Sequence, residues 1–313
     1  MNKIIGAYRN GNYDVVIFED GTKIRHNDIE PLPGQLPDEV FRADFPESMD
    51  VSITHRCDAG CAMCYAGCTM SGNNGDILNA KWLNSIHPYT EMAIGGGNVF
   101  LHPDLIPFLE ILKEKKVFAN ITVNQKHFIK HFTQIKSLCE KELVKGVGVS
   151  VFEPTEELMS LMNSIPHGVA HCILGVVDIE TLKKMYDHDI RLLLLGYKTT
   201  GRGSAYSFDH YEEINLKIDA VDKSLKELVN HFKVVSFDNK ALKQLHVREI
   251  MSEDEWNRFY MGDDGIDGKT TSATMFIDMV DNTFAINSMT PYGLYIQDDD
   301  TVDTMFKALK GER

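Results

Sequence analysis

The sequence predicts an α/β protein: a partial (β/α)6 TIM-like barrel, preceded by a small β-meander and followed by a β-hairpin and a helix. Three observations predict it. Strand-like and amphipathic helical segments alternate from residue 50 to residue 197. Successive strands carry one apolar face and one small or polar face. Four of the six cysteines fall within twelve residues directly after the first of those strands.

The chain opens with "GAYRNGNYDVVIFEDGTKIRH", β-formers around Asn10-Gly11 and Asp20-Gly21. Both dipeptides favour tight hairpin turns, which gives a meander over residues 3–26. A Pro-containing linker, "EPLPGQLPDEV", follows. Residues 1–48 are therefore read as meander and linker, 49–235 as the barrel, and 236–313 as a C-terminal extension.

Within the barrel, "DVSIT" is read as a strand and "NAKWLNSI" as a helix; "EMAIG" and "DLIPFLEILKEKK" repeat the pair. "FANITVN" precedes one long helix, "KHFIKHFTQIKSLCEKEL", and "GVGVSVF" precedes "TEELMSLMNS". "GVAHCIL" leads to "IETLKKMYDHD", and "IRLLLLGY" is the sixth strand. Such alternation implies βαβ units and a parallel sheet. A helix over 219–232 and "KVVSFD" extend the series. "TMFIDMVDNTFAINSM" alternates around Asp281-Asn282 as a hairpin, and "TVDTMFKALK" closes as a helix.

Strand side chains alternate faces with period two. Val51 and Ile53 share a face, as do Met92 and Ile94, then Ala119, Ile121 and Val123, then Val147, Val149 and Val151. The opposite faces carry Ser52 and Thr54, Ala93 and Gly95, Asn120, Thr122 and Asn124, and Gly148 and Ser150. A filled barrel would turn bulky branched residues inward. Small and polar residues there predict a hollow or open barrel with room for a ligand.

Composition bounds the function. The 313 residues suffice for one large domain or two smaller ones, with ordinary hydrophobic (43%) and charged (25%) content. No apolar run reaches membrane-spanning length, and the start lacks the apolar stretch of a secretory signal, so a cytoplasmic protein is expected. A net charge of −14 argues against extended nucleic-acid binding. In such a chain clustered cysteines point to metal or catalysis rather than to a disulfide framework. Cys57, Cys61, Cys64 and Cys68 could form a closed tetrahedral zinc site in a binding module without catalysis. Three of them could instead hold a four-iron cluster with one iron open.

The residues carry a resemblance. "CDAGCAMCY" has the spacing C-x3-C-x-Φ-C, with Met63 as the apolar Φ and Tyr65 following the last cysteine. This resembles the radical S-adenosylmethionine (SAM) superfamily. The resemblance implies that Cys57, Cys61 and Cys64 bind a [4Fe–4S] cluster on the loop after the first barrel strand, with Met63 and Tyr65 beside the cofactors. SAM would hold the fourth iron through its amino and carboxylate groups. "AIGGGNVFLHPDL" resembles the family's Gly-Gly-Glu-Pro stretch, with Gly96 and Gly97 on the glycines, Gly95 before them, Asn98 in place of the Glu and Val99 in place of the Pro. The resemblance puts this backbone against the SAM amino group, the contact being carried by the main chain and not by Asn98. Asn124 and Ser150 resemble positions near the ribose and methionine of SAM. Lys198 and Arg202, in "LLGYKTTGRG", could hold the SAM carboxylate or an anionic substrate.

The resemblance covers residues 49–235. No cysteine follows residue 172, so an auxiliary cluster is not expected; Cys139 and Cys172 read as core, and Cys68 stays open between zinc ligand, buried thiol and hydrogen donor. The activity implied is reductive cleavage of SAM to methionine and a 5′-deoxyadenosyl radical that takes hydrogen from a substrate, a small molecule or peptide. It requires an external flavodoxin- or ferredoxin-like electron donor. A scaffold that binds SAM without turnover is a third reading. Cysteines and glycines lie on separate loops, so a side chain at Gly97 is expected to weaken SAM binding and spare the cluster.

Overall fold

The computed structural model describes residues 3–28, 41–259, 273–290 and 292–311. The expected linker at 30–40 lies outside the described residues. The meander is present as β1 (Ile4–Asn10), β2 (Tyr13–Phe18) and β3 (Lys23–His26), an antiparallel three-stranded sheet. Its two turns carry Gly11 (φ 57°) and Gly21 (φ 90°), in the left-handed region that glycine tolerates.

The barrel strands follow in the expected order: β4 (Ser48–Thr54), β5 (Glu91–Gly96), β6 (Phe118–Asn124), β7 (Gly146–Ser150), β8 (Gly168–Ile173) and β9 (Arg191–Leu195). All pair in parallel with their neighbours. "KVVSFD" adds β10 (Val234–Phe237), parallel to β9. Between them run α1 (Leu105–Glu114), α2 (Gln125–Lys130), α3 (Phe132–Glu140), α4 (Glu156–Asn163), α5 (Ile179–Lys183), α6 (Arg202–Asp209) and α7 (Tyr211–Leu228). After β10 come α8 (Asn239–Gln244) and α9 (Glu253–Phe259).

Local details differ from expectation. "NAKWLNSI" forms only a 3-10 turn, Lys81–Ser85, which buries Trp82 and Leu83. The long helix after β6 breaks at His131, whose ring stacks on Phe100 at 4.4 Å. α5 stops early, and Asp187 and Asp189 beyond it take positive φ. The helix expected at 219–232 starts earlier, as α7.

The hairpin is β11 (Thr274–Asp278) with β12 (Thr283–Ala285), extended by β13 (Leu294–Tyr295). It does not stand apart. β11 pairs in parallel with β4, giving a ten-stranded sheet in the order β10-β9-β8-β7-β6-β5-β4-β11-β12-β13. The first barrel strand is therefore covered on both edges. The closing helix α10 (Val302–Leu309) starts on a Thr301–Thr304 capping box and docks near the 3-10 turn through His87–Asp303 at 2.7 Å.

The two-faced strands behave as read. Met49, Val51, Ile53, Met92, Ile94, Ala119, Ile121, Val123, Val147, Val149 and Val151 are all buried against the surrounding layer. The inner face stays partly accessible at Ala93, Gly95, Asn120, Thr122, Asn124 and Ser150. Cys139 and Cys172 are core residues, as expected.

The meander closes the N-terminal end of the barrel. Buried Asn10 donates to the Phe45 carbonyl (2.9 Å) and accepts from the Asp44 amide (2.8 Å). Glu47, just before β4, is almost wholly buried; it accepts from Tyr13 Oη (2.5 Å), Arg25 Nε (2.9 Å) and Arg25 Nη2 (2.8 Å). Lys23 Nζ lies 3.3 Å from Glu47 and 2.8 Å from Glu91. Burial opposes charge on Glu47, but the Arg25 and Lys23 cations prevail and hold its pKa below the usual glutamate value.

Glu47→Gln should thus leave two mostly buried cations underneutralised and cost about 3 kcal/mol, read as a lowered urea midpoint. The wild-type advantage is full above the ordinary glutamate value of 4.5 and fades as pH falls through the lowered one. An equal acid sensitivity in wild type and variant would contradict this placement of charge.

Candidate functional site

The cysteine loop leaves β4 at its C-terminal end, where active sites of β/α barrels are built. It folds back on itself as a closed structure. The His55 amide donates to Asn73 O (2.9 Å), Cys57 N to Thr69 O (2.8 Å), and Thr69 N to His55 O (3.1 Å). Two successive turns, Cys64 N→Cys61 O (3.3 Å) and Gly67 N→Cys64 O (3.1 Å), set the spacing of the later cysteines. Gly60 and Gly67 adopt positive φ in these bends.

Cys57, Cys61 and Cys64 are half-exposed, whereas Cys68 is buried. Burial pushes the Cys57 and Cys61 thiols up. The Cys64 thiol is lowered, chiefly by its interaction with the Cys68 side chain and also by the Cys68 and Ala66 amides, and Cys68 is raised by the same pairing and by burial. The Cys68 thiol also lies 4.0 Å from the Ala66 carbonyl. The chain thus presents three accessible soft donors and one buried thiol. A tetrahedral zinc with bonds of about 2.3 Å needs sulfurs about 3.8 Å apart. Among the described residues, no three of these cysteine sulfurs form a group within 4.8 Å of one another.

The glycine loop after β5 lies directly on the cysteine loop. Gly97 N donates to Thr54 O (2.6 Å) and Asn98 N to Arg56 O (2.8 Å). A Cβ on Gly96 (φ 103°) would stand 2.4 Å from Thr54 O; one on Gly97 would stand 2.2 Å from Arg56 O. Gly95 is different, since its Cβ would meet only Thr122 Cβ at 4.0 Å. The expectation that these loops are independent is therefore corrected. Gly96 and Gly97 are required where two main chains touch, whatever else they contact.

Asn98, expected to matter little, is almost fully buried. Its Oδ1 accepts from Phe100 N (3.2 Å), and its Nδ2 donates to Asp58 Oδ1 (3.0 Å). The same Asp58 oxygen lies 2.7 Å from His127 Nε2 on α2. Asp58 is held below the usual carboxylate range, first by Asn98 and also by His127. Burial keeps the His127 pKa low despite the carboxylate, so a neutral imidazole N–H donates to Asp58. Asp58 thereby ties together the loops after β4, β5 and β6. Cys57 lies close to this pair. Sequence reading missed both Asp58 and His127; Asp58 stands inside the cysteine motif, but only the fold brings His127 to it.

Asn124 ends β6, caps α2 through Lys126 N (2.9 Å), and points Nδ2 at Cys61 Sγ (3.6 Å). Ser150 sits on the inner face at the end of β7, in register with Asn124 and His171. Met63 packs on the core. Tyr65 lies beneath Lys198, whose Nζ is 4.4 Å from the ring centroid and 3.0 Å from Ser288 Oγ.

Arg202 is engaged elsewhere than expected. Its Nε donates to Cys61 O (3.1 Å) and its Nη1 to Gly67 O (3.1 Å) and Cys68 O (3.0 Å). Its amide donates to Cys64 O (3.0 Å). A Cβ at Gly201 would stand 2.4 Å from Tyr65 O, so "TTGRG" wraps tightly round the cysteine loop. On the other side His55 Nε2 meets Asp278 Oδ2 of β11 at 2.8 Å. Arg202, expected with Lys198 to hold the SAM carboxylate or an anionic substrate, here donates Nε and Nη1 to carbonyls of the cysteine loop.

No protein-family model matches the chain, and no curated protein matches it. Solved structures do. SuiB of Streptococcus suis bound to S-adenosylmethionine covers 86% of this chain and 68% of its own, with TM-score 0.51 and 10% identity. SuiB bound to the precursor peptide SuiA covers 86% and 67%, with TM-score 0.49 and 13% identity. The chain shares the fold of SuiB, a protein solved with bound S-adenosylmethionine. The partial barrel expected from the sequence is confirmed at that level.

Gly97→Ala should unfold at a lower denaturant midpoint, because its methyl group displaces the Arg56 carbonyl, whereas Gly95→Ala should stay near wild type. Equal midpoints for both variants would mean that the loops are not interlocked. Asn98→Ala, which strips Asp58 and Phe100 N of a partner, should cost about 1–3 kcal/mol in denaturant unfolding.

Proposed function

We propose that the chain is a radical SAM enzyme in which Cys57, Cys61 and Cys64 hold a [4Fe–4S] cluster. The observation that carries this is the arrangement of three half-exposed thiols and one inward thiol at the C-terminal end of the first barrel strand. It is supported by the fold shared with a protein whose structure contains bound SAM. The chemistry that a bound cluster and SAM supply is one-electron cleavage of SAM and abstraction of hydrogen from a substrate C–H bond.

The chain's own residues position and protect. Cys57, Cys61 and Cys64 would hold the cluster through their thiolates, and the cluster would supply the electron for SAM cleavage. Cys68, buried beside Cys64, backs the loop from inside. Arg202 and the Gly201 turn hold the loop's carbonyls, so that the ligands keep their spacing. Gly95, with open space above it, leaves main chain free for SAM, and Asn124 and Ser150 line the way inward. Lys198, beside Tyr65 and Ser288, is the remaining cation for a carboxylate. The electron comes from an external flavodoxin- or ferredoxin-like donor, and the substrate is a small molecule or peptide handled in the cytoplasm.

Anaerobic reconstitution tests the reading. Ala at Cys57, Cys61 or Cys64 should abolish iron–sulfur absorption, and Ala at Cys68 should leave most of it. Reduction in the presence of SAM should release 5′-deoxyadenosine. Stoichiometric zinc, no colour and equal dependence on all four cysteines would establish the zinc module instead. An intact, reducible cluster without 5′-deoxyadenosine above a cluster-free control would leave a SAM-binding scaffold.

A further inference from the structure

His171 is a polar group that neither the fold nor the cysteine site uses. It lies on the inner face of β8, between Val169 and Ile173 on the same face. Strand register puts Ser150 of β7 on one side and Leu193 of β9 on the other. Its ring lies across Gly148, where a Cβ would stand 2.2 Å from Cε1 and 2.5 Å from Nε2. A glycine at 148 is thus what allows an imidazole to occupy this part of the barrel.

The ring is half-buried, and no described residue gives either nitrogen a hydrogen bond. Burial alone pushes its pKa down to about 4, with no neighbouring charge contributing. The imidazole is therefore neutral, with one N–H to give and one lone pair to receive. Ser150 beside it likewise has no hydrogen bond within the described chain. Both side chains are only partly buried, and their polar atoms are not among the buried atoms left without a partner, so they are open to water or to a ligand entering the barrel interior. An ionic partner would have to be desolvated among Val169, Ile173 and Leu193, whereas a neutral amide or hydroxyl meets both nitrogens at less cost.

We infer that His171 binds substrate by receiving a neutral hydrogen-bonding group, an amide or hydroxyl, in an otherwise aliphatic part of the barrel interior. This rests on the proposed function only in taking the barrel interior as the place where substrate sits. It narrows the substrate to a molecule that presents a neutral polar group next to an aliphatic one, and it disfavours a charged group at that depth.

The test uses reconstituted, unreduced, SAM-bound protein labelled with 15N-histidine. The probe is N-acetyl-L-leucine N-methylamide; its comparator is N-acetyl-L-leucine, which carries a carboxylate in place of the second amide. The amide probe should shift the His171 ring signals saturably, and the carboxylate should bind at least tenfold more weakly. His171→Phe should weaken the amide probe at least tenfold, and His171→Gln, which keeps a donor and an acceptor, should restore most of the loss. Wild-type binding by His171→Phe would overturn the proposal, as would equal or tighter binding of the carboxylate. So would His171 signals that move with SAM alone and not with the probe, since the group received would then belong to SAM. Iron content and SAM binding, measured separately on the same samples, report on the radical SAM reading. The probe's effect on His171 reports on this one.

Discussion

The site depends on one contact between main chains: the glycine loop after β5 resting on the first residues of the cysteine loop. Gly97 N to Thr54 O and Asn98 N to Arg56 O are ladder-like hydrogen bonds continued past the ends of β4 and β5. They require backbones at van der Waals approach, which no side chain at 96 or 97 permits. Once that contact forms, the Asp58 carboxylate can reach Asn98 and His127 together. Arg202 then closes the far side of the loop. The cysteine spacing is thus fixed by three other loops, and not by the loop's own sequence alone.

Two ends of the barrel do different work. The N-terminal end is plugged by the meander through a buried charged cluster on Glu47, which supports β4 from below. The C-terminal end carries half-exposed thiols, glycines and small polar side chains. Support under β4 and a cysteine-bearing mouth above it divide the two ends of one strand between packing and the candidate site. Within the interior the walls also differ. β5–β7 offer Ala93, Gly95, Thr122 and Gly148, while β8 and β9 offer Ile173 and Leu193 around His171.

What was legible in the sequence was what is local. Period-two alternation placed Val51, Ile53, Ile121 and Val149 in the core, and the cysteine spacing marked the site. What was not legible depends on residues far apart in the chain. Nothing near His127 announces Asp58, and nothing near Arg202 announces that its guanidinium serves the carbonyls of Cys61, Gly67 and Cys68. The pattern of the 274–289 segment specified a hairpin correctly but not its neighbour. A strand's alternation fixes which face is buried, not which edge it joins, so the parallel pairing of β11 with β4 stayed hidden.

That pairing has a consequence for biosynthesis. His55 and its partner Asp278 are 223 residues apart. At about 5–20 residues per second, roughly 10–45 s separate the emergence of the two from the ribosome. Throughout that interval the nascent cysteine loop has one open flank, and β4 has a bare edge beside it. Four thiols held so close together are exposed to oxidation or to stray metal for as long as the flank stays open. The cysteine loop therefore reaches its final shielding only when β11, made late in synthesis, has paired with β4.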